Sequence, residues 1–325
     1  MIAITGAAGF IGSNLAHRLA RDGHALYLAD RELTPLKAPN LAGLTASAVV
    51  GHEQFIDDLE SGRFSPDVIF HLGACSRTTE TRWDYLVEVN IRYTQRLWDW
   101  CAANGKPLIY ASSAATYGNG SSGFDDRTPP EKLTPLNLYG RSKNDFDKWA
   151  LEQVSTNKPA PPHWAGLKFF NVYGPRELHK GGMASVVWQA RKQILKTGAM
   201  RLFKSNDPAI KDGEQRRDFV YVGDCIEHML WLWKNPAPNA IYNSGTGTAR
   251  TFLDLIAAVF SGLHRPPRIE FIDMPPELSR QYQNYTQADM SKLQAAGFSG
   301  RPTALAEGVP AALAGVADSD RPNLP

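Results

Sequence analysis

Ile2-Ala3-Ile4-Thr5-Gly6-Ala7-Ala8-Gly9-Phe10-Ile11-Gly12 is the stretch whose reading decides the fold. Ile2-Ala3-Ile4 reads as a strand, glycines follow at once, and a helical pattern runs from Phe10 to about Arg21. Each glycine then has a physical task. Gly6 permits the tight turn, Gly9 lets backbone N–H groups approach a pyrophosphate, and Gly12 lets the helix pack closely on the strand. A glycine pattern alone is weak; between a strand and a helix it predicts dinucleotide binding.

Outward from this stretch the alternation continues. Ala25-Leu26-Tyr27-Leu28-Ala29 forms a second strand run that closes at Asp30. Val68-Ile69-Phe70-His71-Leu72 and Leu108-Ile109-Tyr110-Ala111 are further buried-strand runs, separated by a helix carrying Leu86, Val89, Leu97 and Trp98. A helix starting near Tyr139 and a strand at Leu167-Lys168-Phe169-Phe170-Asn171 follow. Apolar strands alternating with helices predict an α/β protein of Rossmann type, a doubly wound parallel sheet covered on both faces. After Gly174-Pro175 the alternation fades, which predicts a smaller mixed α/β C-terminal substrate lobe. The expected division is 1–171 for the nucleotide-binding domain, with returning segments near 216–262, and 172–215 plus 263–314 for the substrate lobe. Phe219-Val220-Tyr221-Val222 and Ile241-Tyr242-Asn243 are the stretches expected to return to the first lobe, and 315–325, rich in Asp, Pro and Asn, is expected to be disordered.

Composition excludes several classes. The 325 residues carry 35 Lys+Arg against 33 Asp+Glu, a net charge of +2 without long runs of one sign, so nothing marks a nucleic-acid or anionic-membrane surface. No stretch offers the roughly 20 apolar residues of a membrane span, and the opening residues lack the basic region of a signal peptide. Cys75, Cys101 and Cys225 are odd in number and widely spaced, unlike a disulfide framework or zinc site. His17, His24, His228 and His264 have no metal-ligand spacing, and His71 reads as a satisfied core residue. A soluble, cytoplasmic, metal-free protein is the expectation.

Two further motifs supply chemistry. Tyr139-Gly140-Arg141-Ser142-Lys143 places tyrosine and lysine four apart on one helix face, where an ammonium favours phenolate and would draw the tyrosine pKa down from about 10. That suits an acid/base for alcohol–ketone interconversion. Ser112-Ser113-Ala114-Ala115-Thr116-Tyr117-Gly118 follows a strand and puts a serine at the carboxyl edge of the sheet, where open α/β sheets bind ligands. Asp30 is placed to hydrogen-bond an adenosine ribose, while Arg31 and Lys37 are placed to hold a 2′-phosphate, so these residues leave NADP and NAD both open.

The spacing G-x-x-G-x-x-G, together with His71-Leu72-Gly73-Ala74-Cys75-Ser76, Phe170-Asn171-Val172-Tyr173-Gly174-Pro175-Arg176-Glu177, His179-Lys180-Gly181 and Arg217-Asp218-Phe219-Val220-Tyr221-Val222-Gly223-Asp224, resembles the ADP-L-glycero-D-manno-heptose 6-epimerases, a family of extended short-chain dehydrogenases/reductases. The resemblance implies an NADP-dependent isomerase. It would invert C6 of an ADP-heptose through a transient ketone for the heptose supply of lipopolysaccharide, and would work as a homo-oligomer, by resemblance a homopentamer. It also implies Tyr139 and Lys180 as the two acid/base groups, Ser113 as a hydrogen-bond donor to the reacting oxygen, and Lys143 on the nicotinamide ribose. By the same match the cofactor lies along Gly6, Gly9, Phe10, Ile11, Gly12, Asp30, Arg31, Lys37, His52, Leu72, Gly73, Ala74, Cys75, Ser76, Asn90, Lys143, Val172 and Lys180. Substrate contacts fall to Asn171, Gly182, Gln189, Phe203, Lys204, Ser205, Asn206, Arg217 and Tyr282, with Arg217 suited to a diphosphate because a guanidinium binds it bidentately.

The chain departs from the family pattern at Gly182, often serine, at Gln189, often histidine, and at His52, near an often-lysine position. The segment Lys204 to Gln215 is also long. Ala114 and Ala115 stand where nucleotide-sugar dehydratases need an acidic pair, which argues against elimination. A UDP-hexose 4-epimerase has no account of Lys180. A non-catalytic NADP-binding regulator would not need Ser113, Tyr139 and Lys143 together.

Overall fold

The structure is a computed structural model that describes residues 1–279 and 282–314. The opening run forms β1 (Ile2–Thr5), and its glycines deliver the chain into α1 (Phe10–Arg21), which buries Leu15, Ala16 and Leu19. There follow β2 (Leu26–Asp30), β3 (Ala48–Gly51), α2 (His52–Glu60), β4 (Val68–His71), α3 (Trp83–Leu86), α4 (Tyr93–Asn104), β5 (Leu108–Ser113), α5 (Leu138–Ser155) and β6 (Trp164–Phe169). A π-helical segment, Val87–Arg92, joins α3 to α4. The second half adds β7 (Asn171–Tyr173), α6 (Val186–Thr197), β8 (Met200–Phe203), β9 (Arg216–Arg217), β10 (Phe219–Tyr221), α7 (Val222–Lys234), β11 (Ala240–Ser244), β12 (Arg250–Thr251), α8 (Phe252–Gly262), β13 (Ile269–Ile272), α9 (Pro276–Ser279), α10 (Ser291–Ala295) and α11 (Leu305–Leu313).

Seven strands make one all-parallel sheet in the order β11-β6-β5-β4-β1-β2-β3. The order runs outward in both directions from the β1/β4 pair, so the sheet is doubly wound, as the alternation of strands and helices requires. Every residue of β1 and β4 is buried, because helices cover both faces. One face packs Leu15, Leu19, Met229 and Leu230, the other Phe55, Leu97, Trp98 and Trp164. A separate cluster joins the apolar faces of α6, α8 and α11 with β8 through Ile194, Leu202, Val259, Phe260 and Leu313.

Two local features lie outside the sequence expectation. β3 carries no strong strand signal because Ala48-Val49-Val50-Gly51 is a four-residue edge strand, exposed at alternate positions. Phe219–Tyr221 does not rejoin the main sheet. The chain leaves that sheet at Phe170, so β10 pairs in parallel with β7 instead, Phe219 opposite Asn171. Ile241-Tyr242-Asn243 enters the main sheet as β11, beside β6, while Val220 and Val222 pack into the same core as β1 and α1 without joining the sheet. Residues 315–325, expected to be disordered, lie outside the described residues. Among the described residues no helix is long and apolar enough to cross a membrane, and no cluster of three or more His, Cys, Asp or Glu is placed to hold a metal.

A buried carboxyl ties β11 to the loop before α5. Asp126 accepts the Asn243 N–H at 2.6 Å through Oδ2, while its Oδ1 is buried without a partner. Burial pushes its pKa up from 3.8 to about 6, with Lys292 opposing. The folded state therefore holds this proton more tightly than the unfolded chain, and stability falls as pH rises. From pH 5 to pH 8 the Asp126 contribution falls by roughly 1–1.5 kcal/mol. In Asp126→Asn that part of the slope is absent, which urea unfolding of both proteins at the two pH values will show.

Candidate active site

The carboxyl ends of β1, β2, β4 and β5 meet at one edge of the sheet, and there the predicted groups collect. Gly6 takes φ +67°, and a Cβ on it would lie 2.6 Å from the Gly73 nitrogen. A Cβ on Gly12 would lie 2.2 Å from the Gly6 carbonyl oxygen. The loop, the first turn of α1 and the exit of β4 therefore touch backbone to backbone. Nothing but glycine fits at Gly6 and Gly12, and the start of α1, with no side-chain cap, is left as a cradle of N–H groups. A pyrophosphate suits such a cradle, since it takes N–H donors and the positive end of a helix.

Asp30 sits at the end of β2, buried, and accepts the Ala8 N–H at 3.0 Å. Lys37 reaches back to it at 2.8 Å. Arg31, next along, hydrogen-bonds the Tyr85 hydroxyl and lies over that ring at 4.8 Å. His52 begins α2, where its ring pairs with Glu53 at 3.0 Å and lies against Tyr93. Val172 lies in β7 opposite Val220.

Leu72 to Ser76 continue from β4 past the glycine loop. The Leu72 N–H donates to Thr5 O, and Asn90 clamps Cys75 from both sides, accepting its N–H at 2.8 Å and donating to its carbonyl at 3.0 Å. Asn90 also donates to Ser142 Oγ at 2.9 Å, which ties the segment to α5. It stands in the π-helical segment, where the extra residue per turn re-aims a side chain. His71 spends both ring nitrogens on Thr5 and Thr94, and burial drives its pKa down to about 3: a neutral core group, not a base.

Asn137 caps α5 by accepting the Gly140 N–H at 2.8 Å, which fixes Tyr139 in the first turn. Tyr139 lies close enough to Ser113 for it to act on the phenol pKa, while Lys143, one turn on, donates to Ala111 O at 2.8 Å. The expected lowering of the Tyr139 pKa is not found. Burial raises it, and Ser113 only partly opposes that. The reason is geometric: the Lys143 ammonium is turned onto the Ala111 carbonyl, and burial lowers its own pKa to about 8. The chain alone thus holds Tyr139 as the phenol.

Beneath these residues lies a network that sequence reasoning missed. Asp147, fully buried, accepts from Ser112 Oγ at 2.6 Å and Tyr110 OH at 3.1 Å, with Lys168 Nζ 3.8 Å away. Lys168 in turn donates to Thr116 Oγ1 at 2.9 Å. Its only sequence signal was the spacing 139, 143, 147, one residue per helical turn on a single face.

Lys180 lies on the segment between β7 and α6. Its ammonium stands 5.3 Å from the centre of the Phe10 ring, and burial lowers its pKa while Glu177 opposes this. Gln189 donates to Gly181 O at 2.8 Å, and Gly182 has open space where a side chain would stand.

Arg217, in β9, is buried, and among the described residues no carboxylate lies within ion-pair distance of it. Its guanidinium donates to Arg216 O and lies over Tyr282 at 5.2 Å. Burial lowers its pKa to about 10. A buried cation of this kind calls for an anion. Its neighbour Asp218 was not singled out from sequence. It accepts four hydrogen bonds, from Thr246 N and Oγ1, Gly247 N and Ala288 N, and so ties together the strands around Arg217. Asn171 accepts from Thr286 Oγ1 at 3.2 Å. Phe203 ends β8; beyond it, Lys204 is drawn out to Asp273 at 2.8 Å, Ser205 N–H donates to Asp212, and Asn206 bridges Ser279 and Asn284 near Tyr282.

Residues 2–245 match the sequence model of the NAD dependent epimerase/dehydratase family. Over 313 residues, 95% of each chain, the protein is 47% identical to an ADP-L-glycero-D-manno-heptose-6-epimerase of Nitratidesulfovibrio vulgaris strain Hildenborough. Among solved structures it is similar to the ADP-L-glycero-D-manno-heptose-6-epimerase of Helicobacter pylori, at a TM-score of 0.79 and 28% identity over 97% of this chain and 95% of that one. A UDP-glucuronic acid 4-epimerase of Bacillus cereus, solved with UDP-glucuronic acid and NAD, superposes at 0.76 with 25% identity, covering 96% and 97%. These likenesses place the chain: it is an isomerase of the NAD dependent epimerase/dehydratase family and belongs, within it, to the ADP-L-glycero-D-manno-heptose-6-epimerases.

Proposed function

We propose that the protein inverts C6 of ADP-D-glycero-D-manno-heptose to give ADP-L-glycero-D-manno-heptose, through a 6-keto intermediate, for the heptose supply of lipopolysaccharide. The observation that carries this reading is the 47% identity, over 95% of the chain, to an ADP-L-glycero-D-manno-heptose-6-epimerase; two proton-transfer groups of opposite bias, a phenol raised by desolvation at Tyr139 and an amine lowered by it at Lys180, accord with it. Inversion of a carbinol needs a group on each face, because the hydroxyl changes sides.

The residues divide the work as follows. The nicotinamide, when bound, supplies the acceptor and then the donor for the C6 hydride. Lys180, as neutral amine, takes the hydroxyl proton from one face while C6 is oxidised to the ketone. Tyr139 gives its phenolic proton to the oxygen on the other face as the hydride returns to carbon. Ser113, close to Tyr139, would hold the reacting oxygen. Lys143 would hold the nicotinamide ribose. Arg217 binds the substrate diphosphate, which supplies the anion its buried charge lacks, with Tyr282 stacked on its other side. Asn171, Phe203 to Asn206, Gly182 and Gln189 are the further proposed substrate contacts. The cofactor rests on 1–171 with the segments returning near 216–262; the substrate is held by 172–215 and 263–314, to whose core α8 lends its apolar face.

NADP is the proposed cofactor. A free Asp30 would take the ribose hydroxyls of NAD, but its carboxylate already carries the Lys37 ammonium. Lys37 and Arg31 then present two positive charges where a 2′-phosphate would lie.

Incubation with ADP-D-glycero-D-manno-heptose should yield the C6 epimer with no net change in nicotinamide absorbance; no conversion by wild type would end the substrate assignment. Tyr139→Phe and Lys180→Met should each lower kcat by about 10²–10⁴-fold with nucleotide still bound. Wild-type turnover in either variant removes that residue from the acid/base pair. Lys37→Ala should weaken NADP about tenfold relative to NAD, near 1.4 kcal/mol, in fluorescence titrations of the nucleotide-free protein. An unchanged ratio would show that Lys37 does not set the preference.

A further inference from the structure

The stretch joining β7 to α6 has little regular structure to hold Lys180 in place. Leu178–Met183 forms short 3₁₀ turns broken at Gly181, φ +53°, and buries none of its residues. A lysine on such a stretch would ordinarily sample many positions. What holds it is a side chain three residues earlier.

Glu177 is fully buried. Its Oε1 accepts the Gly174 N–H at 3.0 Å and the Ser185 hydroxyl at 2.8 Å, and its Oε2 accepts the Ser185 N–H at 2.6 Å. Gly174 and Ser185 are the two ends of the stretch, so one carboxylate closes it. The Glu177 carbonyl also takes the Lys180 N–H, at 2.9 Å. The outer side is pinned by Asn40, whose amide donates to Ala8 O at 2.9 Å and Arg176 O at 3.3 Å and lies 3.0 Å from His179 Nδ1. Ala8 belongs to the glycine loop, and Phe10, under the Lys180 ammonium, begins α1. The stretch is thus closed on itself and latched to the cofactor cradle.

Three donors converge on the Glu177 carboxyl and favour its ionised form, against the burial that raises its pKa. The anion then lies beside Lys180 without forming a direct ion pair.

We propose that Glu177 is the positioning residue of Lys180: its carboxylate closes the Gly174–Ser185 stretch and supplies the negative charge against which the lysine ammonium is held. The proposal rests on the acid/base role proposed above for Lys180. Burial alone pulls the lysine toward the neutral amine, and the Glu177 charge pulls it back. With both acting, the side chain is able to change charge in either direction of the reaction.

The two functions of Glu177 separate by substitution. Glu177→Gln keeps the reach and removes the charge; Ser185→Ala removes one hydrogen bond and keeps it. The full-length protein with its copurified nucleotide is reductively methylated with ¹³C at its lysines and titrated by NMR, the Lys180 signal being assigned by its loss in Lys180→Arg. In Glu177→Gln the Lys180 signal should titrate about one pH unit lower, and in Ser185→Ala within a few tenths of wild type. The limb of the kcat–pH profile owed to Lys180 should move with it, with kcat down about tenfold or more and KM within about twofold. A Lys180 titration unchanged in folded Glu177→Gln overturns the proposal. If that variant fails to fold, Glu177→Asp, which keeps the charge and cannot span both ends, decides: several Lys180 environments with kcat lost support the clasp, while one sharp signal with wild-type kcat refutes it. Because the titration needs no substrate, an inactive wild type would refute the heptose assignment and leave the Glu177 result standing.

Discussion

The constraint on which the structure depends is the backbone contact among Gly6, Gly12 and Gly73. It brings the end of β1, the start of α1 and the exit of β4 to one point. A single Cβ there would meet a carbonyl oxygen or a nitrogen at well under van der Waals distance, and main chain cannot move aside as a side chain can. The contact sets how close α1 lies to the sheet, and so where the N–H groups of its first turn point. Everything chemical is arranged around that point: Asp30 through the Ala8 N–H, the Cys75 segment through Asn90, and Lys180 through Asn40 and Phe10.

The site is built largely of buried charge held by few partners. Lys143, Lys180 and Arg217 are all lowered by burial, and Tyr139 is raised. Each would be costly in a core of fixed function, where such groups are paired out. The contrast with Asp147 and Lys168 makes the point. Those two are also buried, but they face each other and are ringed by Ser112, Tyr110 and Thr116, so they brace β5, β6 and α5 and leave the chemistry to their neighbours. Asp218 does the same for the other side by taking four donors beside Arg217.

How much was legible in the sequence depended on how local the signal was. The strand–glycine–helix opening, the Tyr139–Lys143 spacing and the serine after β5 are contiguous, and their physics is contained within a turn or two of chain. Lys180 was visible only through a family resemblance, since on composition it is an ordinary loop lysine. Asn40, Glu177 and Asp218 were not singled out, because each acts on residues that reach it through folding: Asn40 on His179, Glu177 on Ser185, Asp218 on Thr246 and Ala288. A polar residue in a loop has no sequence mark that says what it will accept from.

The direction of the Tyr139 shift shows where local reading stops. Spacing puts Lys143 on the same helix face, and from that alone a lowered pKa follows. The folded chain turns the lysine onto the Ala111 carbonyl and buries the phenol, and the sign reverses. Sequence by itself determined the parallel doubly wound sheet, the glycine turn into α1 and the Tyr139–Lys143 spacing, because period, turn chemistry and fixed spacing are properties of neighbouring residues. Tertiary structure alone decided the charge each group carries, the pairing of β10 with β7, and the clasp that holds Lys180. Desolvation and long-range hydrogen bonds exist only once distant segments have been brought together.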